Sequence, residues 1–369
     1  MAKFICSVCK KVFEAESAGP CPGCGHGHPH VYGFNASDDY LRREVPRVLE
    51  ERERSGLAGL VGGLECVIIN TEPEHMKSAT GELLLYTGLT PMEAFEDGMH
   101  RTCVLRTEGS ADFLVRARLG GENPFAPFNS HPKAVHLPNT RLETFVFDVK
   151  DINRYVEIQK ARGVKFLTDD IVLGDHYAFI QTAPSRHTGN STGVIQWTGE
   201  RGNYATSGCR GLGWNLTKPG LPHLGNIGRL DHTATRIEAG DRDAAIVEFM
   251  ELTNYDFDFA MVFTSGIHGF TGDDSAGPTE RFIHNYGTRV HHMAFQTERI
   301  DQAYEALVAD GEGFLIELVG SEEEGLKQTF SEPSQHTLLV NEYIHRYGGF
   351  DGFFTRSNVT LLTGATGKQ

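Results

Sequence analysis

The sequence is short of positive charge, of long apolar runs and of cysteines that could pair, and each shortage closes off a class of protein. Lys and Arg together number 34 against 49 Asp and Glu, a formal net charge of −15. Nucleic acids and anionic membrane surfaces both select a basic footprint, so neither is expected as a partner. No apolar stretch approaches the roughly 18 residues of a membrane span. The residues after Met1 lack the basic start and apolar core of a secretory leader, and a cytoplasmic protein is expected. Seven cysteines, an odd total, argue against a disulfide framework. Also missing are a Walker loop and a Gly-x-Ser-x-Gly elbow. The glycine-rich Gly211–Asn215 run has Leu216 where the third glycine of a dinucleotide fingerprint belongs. What remains is 369 residues, 39% of them apolar, the profile of a soluble globular chain with room for two or three domains.

The cysteines that are present cluster. Four fall in the first 24 residues, as Cys6-x-x-Cys9 and Cys21-Pro-Gly-Cys24, while Cys66, Cys103 and Cys209 are scattered. Two thiolate knuckles of this spacing complete a tetrahedral S4 site. A unit of roughly 30 residues has so little core that a bound metal supplies most of its folding free energy. The expectation is a zinc ribbon over residues 1–34, with Cys6, Cys9, Cys21 and Cys24 as ligands and Zn(II) in a structural role. The Cys-Pro-Gly-Cys-Gly knuckle also resembles rubredoxin, which keeps iron open as the ribbon's metal. Residues 35–61 read as a helical linker. Leu41, Val45, Val48 and Leu49 recur at helical spacing, with a kink or restart expected at Pro46.

From Gly62 onward the chain repeats itself. Thr140–Leu167 and Thr288–Leu315 are both 28 residues long, align without a gap and share nine identities. Each reads as strand, helix, then Gly followed by an extended Phe-Leu. A weaker echo links Leu64–Asn70 with Leu230–Arg236, each followed by a helical pattern. The Gly- and Pro-rich stretch Gly208–Gly228 separates the halves and reads as a linker. The expected fold class is α+β: tandem βαβββ units, two per half, each half curling its sheet around a cavity. The expected domains are 62–215, without metal, and 216–369, carrying it.

Repetition makes the differences informative. Where the first half has Cys66 and Thr144, the second has His232 and His292. Both histidines sit early in a first strand. Glu342 falls in the apolar last strand, on the face of Leu338 and Val340 by period-2 alternation. A carboxylate buried among apolar side chains needs compensation, and a divalent cation is one form of it. Two imidazoles and one carboxylate on one face of a metal leave adjacent positions open, the facial triad of non-heme Fe(II) oxygenases. His291 alternates away from His292 and reads as a second-layer or surface residue.

These segments resemble the 4-hydroxyphenylpyruvate dioxygenase family of the vicinal-oxygen-chelate, or glyoxalase-type, superfamily. The resemblance rests on Leu230-Asp-His232-Thr, on Val290-His-His292-Met-Ala-Phe, and on Gly325–Phe330, Asn341–Arg346 and Gly352–Asn358 in order. It implies two half-barrel domains and an Fe(II)-dependent dioxygenase with His232, His292 and Glu342 as ligands. The implied reaction is oxidative decarboxylation of an α-keto acid with O2 and oxidation of its side chain, related to aromatic amino acid catabolism. It also implies site roles for Gln328, lining the substrate pocket, for Phe353 and Phe354, as an aromatic wall on a C-terminal lid, and for Asn358. The family's Pro-x-Asn-Glu-Pro and Ser-Gln elements are absent from Ser265–Gly287, so the resemblance names no particular α-keto acid. Related sites in the superfamily run extradiol cleavage, isomerisation or epimerisation, and a non-catalytic metal-dependent binding protein is a further reading. A homo-oligomer is expected.

Overall fold

The structure, a computed structural model, describes residues 2–5, 12–15, 22–23, 30–31, 39–255, 261–265 and 276–369. At the N-terminus β1 (Ala2–Ile5), β2 (Val12–Ala15) and β3 (His30–Val31) pair antiparallel in the order β2-β1-β3. The cysteines expected to hold zinc, Cys6, Cys9, Cys21 and Cys24, lie outside the described residues.

Helix α1 (Asp39–Ser55) runs unbroken through Pro46, where the sequence suggested a kink or restart. Pro46 lies on the exposed side and Arg42, whose carbonyl loses its donor, is exposed too, which leaves that oxygen open to solvent. On the inner face Leu41 and Val48 pack against Val247 and Met250, and Arg52 Nε donates to Met250 O at 2.8 Å.

The first half runs β4 (Val61–Thr71), α2 (Met76–Tyr86), β5 (Thr90–Glu96), β6 (His100–Arg106), β7 (Asp112–Arg118), β8 (Arg141–Val149), α3 (Ile152–Ala161), β9 (Val172–Leu173), β10 (Tyr177–Gln181), β11 (Ser191–Trp197) and β12 (Arg210–Gly211). Its nine-stranded mixed sheet has the order β12-β5-β6-β7-β4-β8-β11-β10-β9. The second half runs β13 (Ile227–Ile237), α4 (Arg242–Leu252), β14 (Met261–Ser265), α5 (Pro278–Tyr286), β15 (Arg289–Thr297), α6 (Ile300–Ala309), β16 (Val319–Ser321), β17 (Leu326–Phe330), β18 (Val340–Arg346) and α7 (Arg356–Ala365). Its six strands are ordered β14-β13-β15-β18-β17-β16. Helices and mixed sheets make the chain α+β.

The sheet cores superimpose in register. Cys66 pairs with Val146 as His232 pairs with Ala294, and each first strand is irregular at the same steps. Parallel pairing then joins β8 to β11 and β15 to β18. The expectation of four complete βαβββ units needs one correction. The third unit goes from α4 to β14, which pairs parallel with β13 as β7 pairs with β4. Only eight residues separate Leu252 from Met261, too few for the β5–β6 hairpin of the first half at about 3.3 Å per residue.

The halves lock across a shared core in which Phe113 and Phe295 stack at 5.9 Å. Reciprocal arginines add to it: Arg141 Nη2 donates to Thr288 O at 3.1 Å, and Arg289 Nη2 donates to Thr140 O. Both side chains are buried, and Asn129 Oδ1 accepts from each at 3.3 Å. The Gly208–Gly228 segment is tied down rather than loose, with β12 paired to β5 and Lys218 Nζ donating to Leu89 O at 2.6 Å.

Candidate metal centre

Three neighbouring strands of the second half supply the site. His232 on β13 and Glu342 on β18 both pair with Ala294 of the intervening β15, and His292 lies two residues before Ala294 on that strand. With a side-chain period of two, all three point to one face, and the small Ala294 between them leaves room. His232, His292 and Glu342 are buried, and each offers a ligand atom within 4.8 Å of the others. His292 Nε2 lies 3.1 Å and His232 Nε2 3.3 Å from Glu342 Oε2. None of these three atoms has an aligned hydrogen-bond partner. Native proteins pair nearly all buried polar atoms, and these three, facing one another without an aligned hydrogen bond, form a group that could hold a cation. Leu338 does not share this strand face as alternation suggested. It sits before β18 in a turn closed by its N–H to Ser334 O, with φ +59°.

Each ligand is aimed from behind. Asp231 Oδ1 accepts from His232 Nδ1 at 2.8 Å, fixing the tautomer whose Nε2 lone pair faces the site. Asp231 is itself clamped, by Arg346 through both terminal nitrogens at 2.6 and 2.8 Å and by Gln296 Nε2 at 2.9 Å. The Nδ1 atoms of His292 and His291 lie 2.8 Å apart. Donation from His292 to His291 frees His292 Nε2. His291 is therefore no surface residue: it is buried, wedged against Phe282 and Phe330. Gln328 Nε2 donates to Glu342 Oε1 at 2.5 Å, leaving Oε2 turned inward.

The titration directions show how strongly the three groups act on one another. Burial would raise the Glu342 carboxyl, but the two imidazoles outweigh it and hold it low. Burial likewise opposes protonation of His232, yet Glu342 and Asp231 carry it up to about 9. His292 is pushed down, first by burial and then by the neighbouring imidazole and Arg236.

The other residues the resemblance named gather around the triad. Gln328 is fully buried. Besides Glu342 it reaches Phe353 O at 2.7 Å, and Asn358 Nδ2 donates to Gln328 Oε1 at 3.1 Å. Thr355 caps α7 by accepting the Asn358 N–H, which sets this approach. The Phe353 ring lies 4.9 Å from the His232 ring and that of Phe354 6.1 Å. A cavity of about 700 Å3 opens beside His232, walled by Phe147, Tyr255, Arg229, Arg346 and Phe353. The sequence reading missed Asp231, Gln296 and Arg346 as supports. A signal existed: Glu65 holds the same step of the repeat as Asp231.

No family model and no curated protein matches the chain. Among solved structures it is similar to a triple mutant of 4-hydroxymandelate synthase from Streptomyces coelicolor, with a TM-score of 0.60, 16% identity, and coverage of 84% of this chain and 99% of that one. The chain shares that enzyme's fold. It is also similar to a xylose isomerase-like TIM barrel/4-hydroxyphenylpyruvate dioxygenase fusion protein, with a TM-score of 0.57 and 13% identity over 91% of this chain and 59% of that one. Identities this low carry the fold and leave the chemistry to the site.

Proposed function

We propose that the chain is an Fe(II)-dependent dioxygenase that oxidatively decarboxylates an α-keto acid and oxidises its side chain, with His232, His292 and Glu342 holding the iron. The observation that carries the reading is the convergence of three buried ligand atoms, none with an aligned hydrogen bond, on one sheet face, in the fold of a 4-hydroxymandelate synthase. Two neutral imidazoles and one carboxylate suit Fe(II), which supplies adjacent open positions for a chelating α-keto acid and O2. One oxygen atom would end in the carboxylate left after CO2 departs, the other in the side chain.

The chain's own residues do the rest. Asp231 and His291 keep the imidazoles oriented, and Gln328 restrains the free oxygen of Glu342. Phe353 and Phe354 cover the His232 ring and exclude water from the reacting face. The Gln328 amide, tied at once to Glu342 and to the Phe353 carbonyl, joins the ligand set to that cover.

The test is O2 uptake and CO2 release by Fe(II)-reconstituted protein across aryl and alkyl 2-oxo acids, with His292→Ala alongside. Coupled uptake that the variant loses supports the reading, and the preferred acid names the pocket. Silence across the panel with iron bound would overturn it in favour of Lewis-acid chemistry on another chelating substrate.

A further inference from the structure

The first half keeps a cavity where the second half keeps its metal centre. Its volume is about 240 Å3, and its floor includes Cys66, Val146 and Phe179. Strand register makes these the counterparts of His232, Ala294 and Gln328. No ligand trio forms there: Thr144 replaces the second histidine, and its hydroxyl donates to Gln181 Oε1 at 3.1 Å. Yet the space has not collapsed. Close-packed interiors leave few voids of this size, and a cavity with a polar group in its wall has a use for it.

The wall carries one cation, and no ion pair to it is found among the described residues. Arg116 on β7 lines the cavity; its Nε is buried, and among the described residues no side chain or carbonyl bonds it and no carboxylate pairs with it. Thr102, fully buried beside it on β6, has an unpartnered hydroxyl. The other charged residue of the wall, Asp97, is engaged within its own turn, its Oδ1 accepting the N–H groups of Met99 and His100 at 2.7 Å. His100, on the strand beside Arg116, adds no positive charge. His100 is held neutral, pushed down to about 3 by burial and then by Arg116. At the rim, Val172 and Leu173 of β9 are 45% and 78% exposed, an apolar pair on the edge strand that lines the same cavity.

We propose that this cavity is a second small-molecule site, which takes a monocarboxylate with a compact apolar body, either a single ring or a branched chain. A lone guanidinium matches one carboxylate through two parallel N–H···O bonds, while the surrounding Ile68, Leu114, Val146 and Ile195 favour an apolar remainder. The volume lies below the roughly 300–1,000 Å3 of pockets for larger ligands, which limits the occupant to that size. The site stands whether or not the metal centre is catalytic.

The experiment titrates benzoate and the uncharged benzyl alcohol into the full-length protein, loaded with Zn(II), by ligand-observed NMR. It uses the wild type, Arg116→Gln, Arg116→Lys and Glu342→Gln. One benzoate site is expected, retained in Glu342→Gln, weakened at least about tenfold in Arg116→Gln and less in Arg116→Lys, as expected for one charge-assisted pair. Benzyl alcohol should bind at least about tenfold more weakly than benzoate. That comparison needs no variant, so it decides the matter even where Arg116→Gln does not fold. Equal binding of acid and alcohol, unchanged affinity in Arg116→Gln, or loss of benzoate in Glu342→Gln would each overturn the assignment.

Discussion

In both halves the first strand carries an acid at its irregular step, Glu65 in one and Asp231 in the other, and that acid reaches the same position of the last strand. Glu65 Oε1 accepts from Trp197 Nε1 at 2.9 Å, with Arg201 closing over it. Asp231 takes Arg346, the register counterpart of Trp197, and adds His232. The three ligand positions diverge completely: Cys66 for His232, Thr144 for His292 and Gly193 for Glu342. A Cβ at Gly193 would lie 3.1–3.2 Å from the side chains of Phe179, Val146 and Thr144. The first half is therefore tight directly over Gly193, where the Glu342 side chain begins in the second, while a cavity stays open beyond it. The scaffold that aims side chains inward is common to both, and the chemistry resides in a few positions laid upon it.

The strongest way to break that contrast is to remove a ligand while keeping its shape. Glu342→Gln should weaken Fe(II) or Co(II) binding by at least about 100-fold, beyond the 10–100-fold that loss of an outer partner brings, with the fold intact by circular dichroism. Wild-type affinity in a calorimetric titration would remove Glu342 from the site. The bulge acids sharpen the comparison next. Asp231→Asn keeps its size but no longer holds the His232 Nδ1–H against a charge, and metal affinity should fall about 10–100-fold. Glu65→Gln should leave metal affinity where it was, because its partners Trp197 and Arg201 orient none of the three ligands.

Much of this was legible in the sequence because a repeat supplies its own control. His232 and His292 stood out against Cys66 and Thr144, and Glu342 stood out as an acid among apolar neighbours. Asp231 was hidden by the rule that found the others. Strict alternation sends residue 231 to the face opposite 232, but β13 is irregular between Leu230 and His232, so two residues advance against one on β15. That step brings the Asp231 carboxylate to the ring of its own neighbour. Leu338 failed for a related reason, since a left-handed turn ends the alternation before Val340. The missing hairpin of the third unit was hidden by the weakness of the first-strand echo, which fixes where a unit begins and says little about how many strands follow. Pro46 misled because a mid-helix proline that leaves an exposed carbonyl unpaired costs less than one whose orphaned carbonyl is buried.

A third prediction asks whether the shared scaffold is as symmetric in energy as in geometry. Arg141→Ala and Arg289→Ala each empty a buried site and strand a carbonyl of the opposite half. Each should cost at least about 2 kcal/mol in urea unfolding, from the cavity and the lost bond together. Similar losses would show that the halves depend on each other equally. A harmless Arg141→Ala beside a costly Arg289→Ala would place the weight on the half that carries His232, His292 and Glu342.

The smallest expected effect concerns a position where the second half alone carries a charge. Glu312 aligns with Val164 of the first repeat. Burial raises its carboxyl from 4.5 to about 8, helped by Glu82 and Glu332 and opposed by a bond from Ser331. A carboxyl whose folded pKa is raised favours the folded state fully below the unfolded value, and that advantage is lost as pH climbs from about 4.5 through about 8. Wild-type thermal stability should therefore decline across this window through Glu312. Glu312→Gln, which cannot ionise, should match the wild type near pH 4.5 and melt a few degrees higher at pH 8.5. Parallel melting curves for the two proteins from pH 4.5 to 8.5 would mean that Glu312 is as well solvated when folded as when unfolded. In that case the charge at this step of the repeat would cost the second half nothing relative to Val164 in the first.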